Sequence, residues 1–393
     1  MQLSQRVRRI KPSPTLAITA RAARLRAEGR DIIGFGAGEP DFDTPDFIKE
    51  AAIQAIRDGF TKYTAVAGTL ELRRAVCDKF RRDNGLEYDP EQILVSVGGK
   101  QSFYNLAQAL LDPGDEVIVP APYWVSYPDM VRLTDGVPVI VEAGIEQGFK
   151  ITPEQLAEAI TPRTRLLVLN SPSNPTGATY SRDELAALGE VLAAHPRVLV
   201  ASDDIYEHIR LGETPFCNIL MACPGLYERV IVLNGVSKAY AMTGWRIGYA
   251  AGPRALIDAM KKIQSQSTSN PTSIAQVAAQ AALEGDQACI EAMNTAFRER
   301  HRFVVEALNA LPGVECLPSQ GAFYAFPRMT DAMTALGMAD DVAFGEHLIE
   351  TVGVALVPGS AFGAPGHMRL SFATSMENLQ EGLARLARLL EKG

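Results

Sequence analysis

Between residues 91 and 284 short apolar runs alternate with longer stretches in which apolar residues recur at helical spacing. The runs at Glu91–Val97, Glu116–Val119, 137–142, Arg165–Leu169, Val198–Ala201 and Val230–Leu233 read as buried strands. Helices are expected at 46–58, 69–84, Ser102–Leu111, from Thr152, Ser181 to about Ala194, 253–266 and 271–284. Thr152 with Gln155 and Ser181 with Glu184 are helix-start signatures, a hydroxyl at the cap and a reciprocating side chain three residues on. Strands alternating with helices predict an α/β architecture around a mostly parallel sheet. Before this core come a basic arm, a helix at about 15–29 ending at Gly29 and a strand at 31–36. After it a long helix (about 286–310) leads into a second unit, with strands near 314–316, 322–326, 353–357 and 367–372 and helices at 340–351 and 376–391. The expected division is an arm at 1–45, a large domain at 46–285 and a small domain at 286–393.

Composition narrows the function classes. The 393 residues carry a formal net charge of −8, which argues against a nucleic-acid or anionic-membrane partner. No run of about 18 apolar residues exists, so a membrane span is not expected. Five cysteines without paired spacing predict a reducing compartment and neither a disulfide framework nor a zinc site. The basic N-terminus lacks an apolar signal core, so a cytoplasmic location is expected.

Candidate chemistry gathers at the ends of the predicted strands, where ligands of open α/β sheets bind. Lys238 sits on a tight turn between Val230–Leu233 and Tyr249–Gly252, flanked by Ser237 and followed by Arg246. A lysine buried there loses its proton readily, which frees the amine for Schiff-base chemistry. A hydroxyl and an arginine beside it suit a phosphate. Gly98-Gly99-Lys100, between a strand and a helix, has the layout of an anion site made of backbone N–H groups and a helix dipole. It is neither a GxGxxG nor a GxxxxGK[ST] motif, so neither a dinucleotide nor a P-loop site is expected. Asn174 and Asp203 also fall at strand ends.

Ten segments together resemble the class I pyridoxal-phosphate aminotransferases of fold type I, and most closely the bacterial subgroup of aspartate and prephenate aminotransferases. They are KPS-T at 11–15, GAGEPDFDTP at 36–45, TKY at 61–63, GGKQ at 98–101, PYWVSYP at 122–128, NSPSNPTG at 170–177, SDDIYEH at 202–208, SKAYAMTGWRIGY at 237–249, SQGAFY at 319–324 and RLSFATS at 369–375. The resemblance spans nearly the whole chain. It implies a large domain with a seven-stranded, mostly parallel sheet sandwiched by helices, and a smaller α/β domain built from both chain ends. It also implies pyridoxal 5'-phosphate as cofactor and a homodimer with shared active sites.

The resemblance assigns roles residue by residue. Lys238 would bond the cofactor and shuttle the substrate proton, and Asp203, chosen over Asp204 by its spacing to Tyr206, would pair with the ring nitrogen. Tyr206 and Asn174 would face the ring's 3' oxygen, and Trp124 would stack on its face. The backbone at Gly99 and Lys100, the Ser237 hydroxyl and Arg246 would hold the phosphate, joined by Tyr63 from the neighbouring subunit. Arg369 would fork onto the substrate α-carboxylate near Gly38. Trp245 and Tyr249 are read as packing residues.

The implied reaction is ping-pong transamination between L-aspartate and 2-oxoglutarate, extending to prephenate conversion into arogenate. One branch of the family grips the second carboxylate with a partner-subunit arginine, from the segment that here reads Ser265–Asn270 and has none. In the subgroup resembled here Lys100 would do so, helped by Ser13 and Thr15, with Lys11 associated with prephenate. A broad or aromatic aminotransferase of the same fold is the alternative. A regulator that binds the cofactor without turnover would call for an appended DNA-binding module and a basic surface, and the sequence has neither.

Overall fold

The computed structural model describes residues 2–10, 12 and 14–391. A short strand near the N-terminus, β1 (Ile33–Gly34), lies outside the main sheet. The main sheet comprises β2 (Ile93–Ser96), β3 (Glu116–Ala121), β4 (Val137–Glu142), β5 (Thr164–Asn170), β6 (Leu199–Asp203), β7 (Val230–Gly235) and β8 (Gly248–Ala251), in spatial order β2-β8-β7-β6-β5-β3-β4. Strands β3 to β7 pair in parallel, and β8 runs antiparallel to both neighbours. The central strands are buried on both faces, as their unbroken Val, Ile and Leu runs require.

The helices between strands begin where their caps dictate. At Pro153–Ala159, Thr152 Oγ1 accepts from Gln155 N and Gln155 Oε1 accepts from Thr152 N. Ser181 and Glu184 do the same for Arg182–Ala194. The helix expected at 69–84 is α-helical over Leu70–Lys79 and finishes as a π-turn over Phe80–Asn84, with left-handed Gly85 closing it. The helix after β2 starts at Gly99 and not at Ser102. The glycine pair is therefore the helix entry itself, which places its free N–H groups at the end of the sheet. A helix at Ser126–Leu133 was not anticipated. It carries Pro128 in its first turn, where proline is tolerated.

The smaller unit uses both chain ends. Strand β1 pairs in parallel with β10 (Val354–Ala355), Ile33 opposite Val354. Strands β9 (Tyr324–Ala325), β11 (Val357–Pro358) and β12 (Met368–Ser371) form a separate antiparallel sheet, ordered β11-β12-β9. The segment expected as a strand at 314–316 makes only an isolated bridge, Glu315 to Arg328. Helices Ala288–Asn309, Asp341–Thr351 and Met376–Leu390 close the core around Phe297, Phe323, Phe344 and Leu386. Among the described residues no helix is long and apolar enough to cross a membrane.

Candidate active site

The carboxyl ends of β5, β6 and β7 and the turn between β7 and β8 face a cavity of about 400 Å³, within the size range of small-molecule sites. Its far wall is Gly36–Glu39, Tyr324 and Arg369, from the smaller unit and the segment after β1.

Lys238 projects into this cavity from the turn after β7. Its Nζ donates to the carbonyl of Gly38 at 2.5 Å, two hundred residues away in sequence. Burial, and then the Arg369 charge, lower its pKa from 10.5 to about 8. Burial disfavours the charged amine and nearby cations add to it, so a neutral amine is within reach near physiological pH.

Of the two adjacent aspartates only Asp203 lines the cavity. Asp204 is turned away and accepts from Ser202 Oγ at 2.7 Å and Asn218 Nδ2 at 2.6 Å. The buried hydroxyl of Tyr127 donates to Asp203 Oδ2, and Ile205 N donates to Oδ1 at 3.3 Å. Burial raises the Asp203 pKa to about 6, while Tyr127 and Ile205 work in the opposite direction. Nearby, the hydroxyls of Tyr206 and Tyr324 share a hydrogen bond of 2.9 Å.

Arg369 is 3% exposed on β12. Its Nη1 donates to Asn174 Oδ1 and its Nη2 to the Gly36 carbonyl, both at 2.8 Å. The guanidinium carbon lies 4.5 Å from the Tyr324 ring centroid and 5.0 Å from that of Phe362. Its buried Nε has no hydrogen-bond partner among the described residues. A fixed fork with no carboxylate against it among the described residues is a site prepared for an anion.

The third corner is cationic. Gly98 has φ +81°, and a Cβ there would lie 2.4 Å from Arg246 Nη2, so only glycine admits the guanidinium. Arg246 is itself left-handed at φ 57° and donates to Thr243 O at 2.8 Å. Gly99, Lys100 and buried Ser237 line the same corner. The Lys100 ammonium stands 5.1 Å from the Trp124 ring centroid, its pKa lowered by burial and then by Arg246. Helix N–H groups, a hydroxyl, an arginine and a lysine form a cradle for a dianion. With the flat Trp124, the buried carboxylate and the amine, this donor set fits a phosphate-bearing pyridine ring.

The cavity brings together Gly38, Gly99, Lys100, Trp124, Asn174, Asp203, Tyr206, Ser237, Lys238, Arg246 and Arg369, eleven of the residues singled out from sequence. Tyr63 is not among them, and its side chain is 91% exposed. Lys11 and Ser13 lie outside the described residues, as does the side chain of Thr15; Thr19, one turn along the same helix, reaches the cavity. Sequence reading missed Tyr127, Asn234 and Tyr324. Tyr127 follows Trp124 by three positions, but only the unanticipated turn into Ser126–Leu133 places its hydroxyl on Asp203.

Comparison with known proteins gives a consistent picture. The family model for aminotransferase class I and II matches residues 30–386. A Nitrosomonas europaea protein named aspartate/prephenate aminotransferase is 63% identical over 99% of this chain and 100% of its own length. The aspartate aminotransferase from Rhizobium meliloti superposes with a TM-score of 0.95 at 47% identity, covering 100% of this chain and 99% of its own. The Thermus thermophilus aspartate aminotransferase solved with maleate gives 0.94 at 48% identity, covering 99% and 100%.

Proposed function

The chain belongs to the class I and II aminotransferases, and from that premise we propose that it is an aspartate aminotransferase that transfers the amino group of L-aspartate to 2-oxoglutarate through pyridoxal 5'-phosphate and also converts prephenate to arogenate. One observation carries the reading: a buried amine, Lys238, shares a cavity with a buried carboxylate, Asp203, and a carboxylate-seeking fork, Arg369. When bound, the cofactor supplies an electron sink for the carbon that bears the amino group.

The chain's own residues do the rest. Lys238 Nζ would hold the cofactor and, as a free amine, would move the proton off the substrate's Cα in the donor half of the cycle and deliver one to the acceptor's Cα in the other half. A folded-state pKa of about 8 suits both directions, since a base works best near the operating pH. Asp203 would keep a proton on the ring nitrogen, and Tyr206 and Asn174 would serve the 3' oxygen. The backbone at Gly99 and Lys100, the Ser237 hydroxyl and Arg246 would hold the phosphate, and Trp124 would cover the ring. Arg369 takes the α-carboxylate, with Gly38 beside it.

Asp203 must be anionic to pair with a protonated ring nitrogen, and its pKa lies near 6. Tyr127 stabilises the anionic form by donating to it. Tyr127→Phe is therefore expected to raise this pKa further and to move the acid limb of kcat/KM toward neutral pH. Activity below about pH 7 falls and the alkaline side is retained. A pH–rate profile checks this, and an unmoved acid limb refutes it.

Selection of a dicarboxylate rests on Lys100, with Ser13, Thr15 and Lys11 as helpers from the arm. Burial and the Arg246 charge disfavour the Lys100 ammonium; the phosphate would answer Arg246, and the substrate's acidic side chain would supply the counter-charge for Lys100. The maleate in the Thermus thermophilus structure is itself a dicarboxylate. Lys100→Ser is expected to lower kcat/KM for aspartate by roughly 10- to 100-fold, one hydrogen bond to a charged group, and to spare alanine and phenylalanine. A steady-state panel of aspartate, alanine, phenylalanine and prephenate on both proteins tests this. Wild type that does not prefer aspartate would instead favour a broad or aromatic aminotransferase.

The proposed enzyme is a cytoplasmic homodimer. Phe47, Ile53, Ile56, Phe60, Tyr63 and Leu70 are exposed large apolar or aromatic side chains between residues 47 and 70, which a second copy would cover, carrying Tyr63 to its partner's phosphate site. The domain division at 1–45, 46–285 and 286–393 is supported by two main apolar cores, one around the large sheet and one around Phe297 and Phe323, the second also taking in Tyr206 and Ile209.

A further inference from the structure

Behind the Asp203–Tyr206 turn lie polar side chains that the chemistry above does not use. Lys79, Asn84, Glu207 and Asn234 are each more than nine-tenths buried. The Lys79 ammonium, last residue of its helix, forms an ion pair with Glu207 Oε1 and donates to Asn84 Oδ1 at 2.8 Å. Asn84 Nδ2 donates to Glu207 Oε2 at 2.9 Å. The π-turn Phe80–Asn84 is what brings Lys79 and Asn84 to bear on one carboxylate, and such turns recur at functional sites. Burial by itself would raise the Glu207 pKa, but Lys79 and then His208 hold it below the ordinary carboxylate range.

Asp83, Glu207 and His208 also offer ligand atoms within 4.8 Å of one another. The Lys79 ammonium pairs with Glu207 Oε1, the oxygen that also lies 3.3 Å from His208 Nε2, so the cluster already carries its own cation.

What sets this cluster apart from a buried ion pair replaceable by apolar residues is Asn234. Its Nδ2 donates to Glu207 Oε1 at 2.7 Å, and its Oδ1 accepts from Gly235 N at 2.7 Å. The amide thus spans from the carboxylate to the main chain where β7 leaves the sheet, four residues before Lys238, and it lines the cavity. Glu207 directly follows Tyr206, and Asp204 N donates to Leu233 O at 2.9 Å. One carboxylate therefore ties the turn bearing Asp203 and Tyr206 to the strand end bearing Ser237 and Lys238.

We propose that Glu207, fixed by Lys79 and Asn84, is a positioning residue that sets the Lys238 turn against the Asp203–Tyr206 turn through the side chain of Asn234. The inference rests on Lys238 and Asp203 carrying the reaction.

The test compares two charge-free holoenzymes, Lys79→Met/Glu207→Gln, which keeps an acceptor for Asn234, and Lys79→Met/Glu207→Leu, which does not. A displacement of about 1 Å at a reacting group costs up to about 100-fold. The Leu double variant is expected to have a kcat roughly 10- to 100-fold below that of the Gln double variant, with KM for aspartate within about threefold. It is also expected to shift the pH midpoint of the cofactor's visible spectrum, which a purely structural role would not move. Asn234→Ala, with Lys79 and Glu207 intact, is expected to reproduce both effects and serves if a double variant does not fold. Equal kcat and equal spectral midpoints in the two double variants, or a wild-type midpoint and kcat in Asn234→Ala, overturn the proposal. Turnover by Lys238→Ala would instead overturn the reading beneath it, so the two failures are distinct.

Discussion

Lys238→Ala is expected to abolish transamination, lowering kcat by about 10⁴-fold or more, because one residue supplies both the covalent anchor and the proton shuttle. The cofactor-loaded variant should also lose the yellow colour of the wild type while the fold persists. Turnover within tenfold of wild type would end the reading. The same lysine predicts an effect on the cofactor-free protein. Its folded-state pKa of about 8 lies below the 10.5 of an unburied amine, so the unfolded chain holds the proton more tightly. Below pH 8 both states are protonated, and the folded state bears a cost of about 3 kcal/mol, at 1.36 kcal/mol per pKa unit. The cost fades as the pH rises from about 8 toward 10.5. Lys238→Met, which keeps the side chain's length without its charge, should therefore stabilise the apo protein at pH 7 by up to about 3 kcal/mol. The gain should shrink by pH 10. Urea unfolding at the two pH values measures the difference, and a variant no more stable than wild type at pH 7 contradicts a strained buried amine.

The large sheet was legible because its strands are continuous apolar runs and its helices start with readable caps. Ser181–Glu184 opens a helix ending at Ala194, as its spacing predicts. The smaller unit was less legible. Its strands are two to four residues long, and 314–316 reduces to one bridge, too short for alternation to register. The Lys238 turn could be found because glycines and apolar strands flank it. Its partner at Gly38 could not, since a hydrogen bond to a backbone carbonyl leaves no mark on residue identity. Tyr127 and Asn234 were missed for a related reason. Each looks like ordinary core or strand sequence, and only the spatial neighbours Asp203 and Glu207 give its polar atom a task. The helix starts at Gly99 rather than Ser102, so the anion cradle stays at the glycine pair and Gly99 and Lys100 fall within the helix's first turn.

Arg369→Lys is the second substitution with a large expected effect, and its conservative appearance is what makes it informative. The positive charge is kept, but the planar fork that can grip a carboxylate with two parallel N–H groups is lost. Each hydrogen bond between charged groups contributes about 1.5–3 kcal/mol, so losing the bidentate pair should lower kcat/KM for aspartate by roughly 10²- to 10⁴-fold. A lysine also has too few donors in the right plane to serve Asn174 Oδ1 and the Gly36 carbonyl, which Arg369 holds at 2.8 Å each. Asn174 should then be less well fixed, and kcat should fall along with the rise in KM. The loss should be similar for aspartate, alanine and phenylalanine, because every amino acid presents the same α-carboxylate. That uniformity separates Arg369 from Lys100, whose loss should penalise the dicarboxylate alone. Steady-state kinetics with the three donors decides the matter. A variant that loses aspartate activity but keeps alanine activity would reassign Arg369 to the side-chain carboxylate.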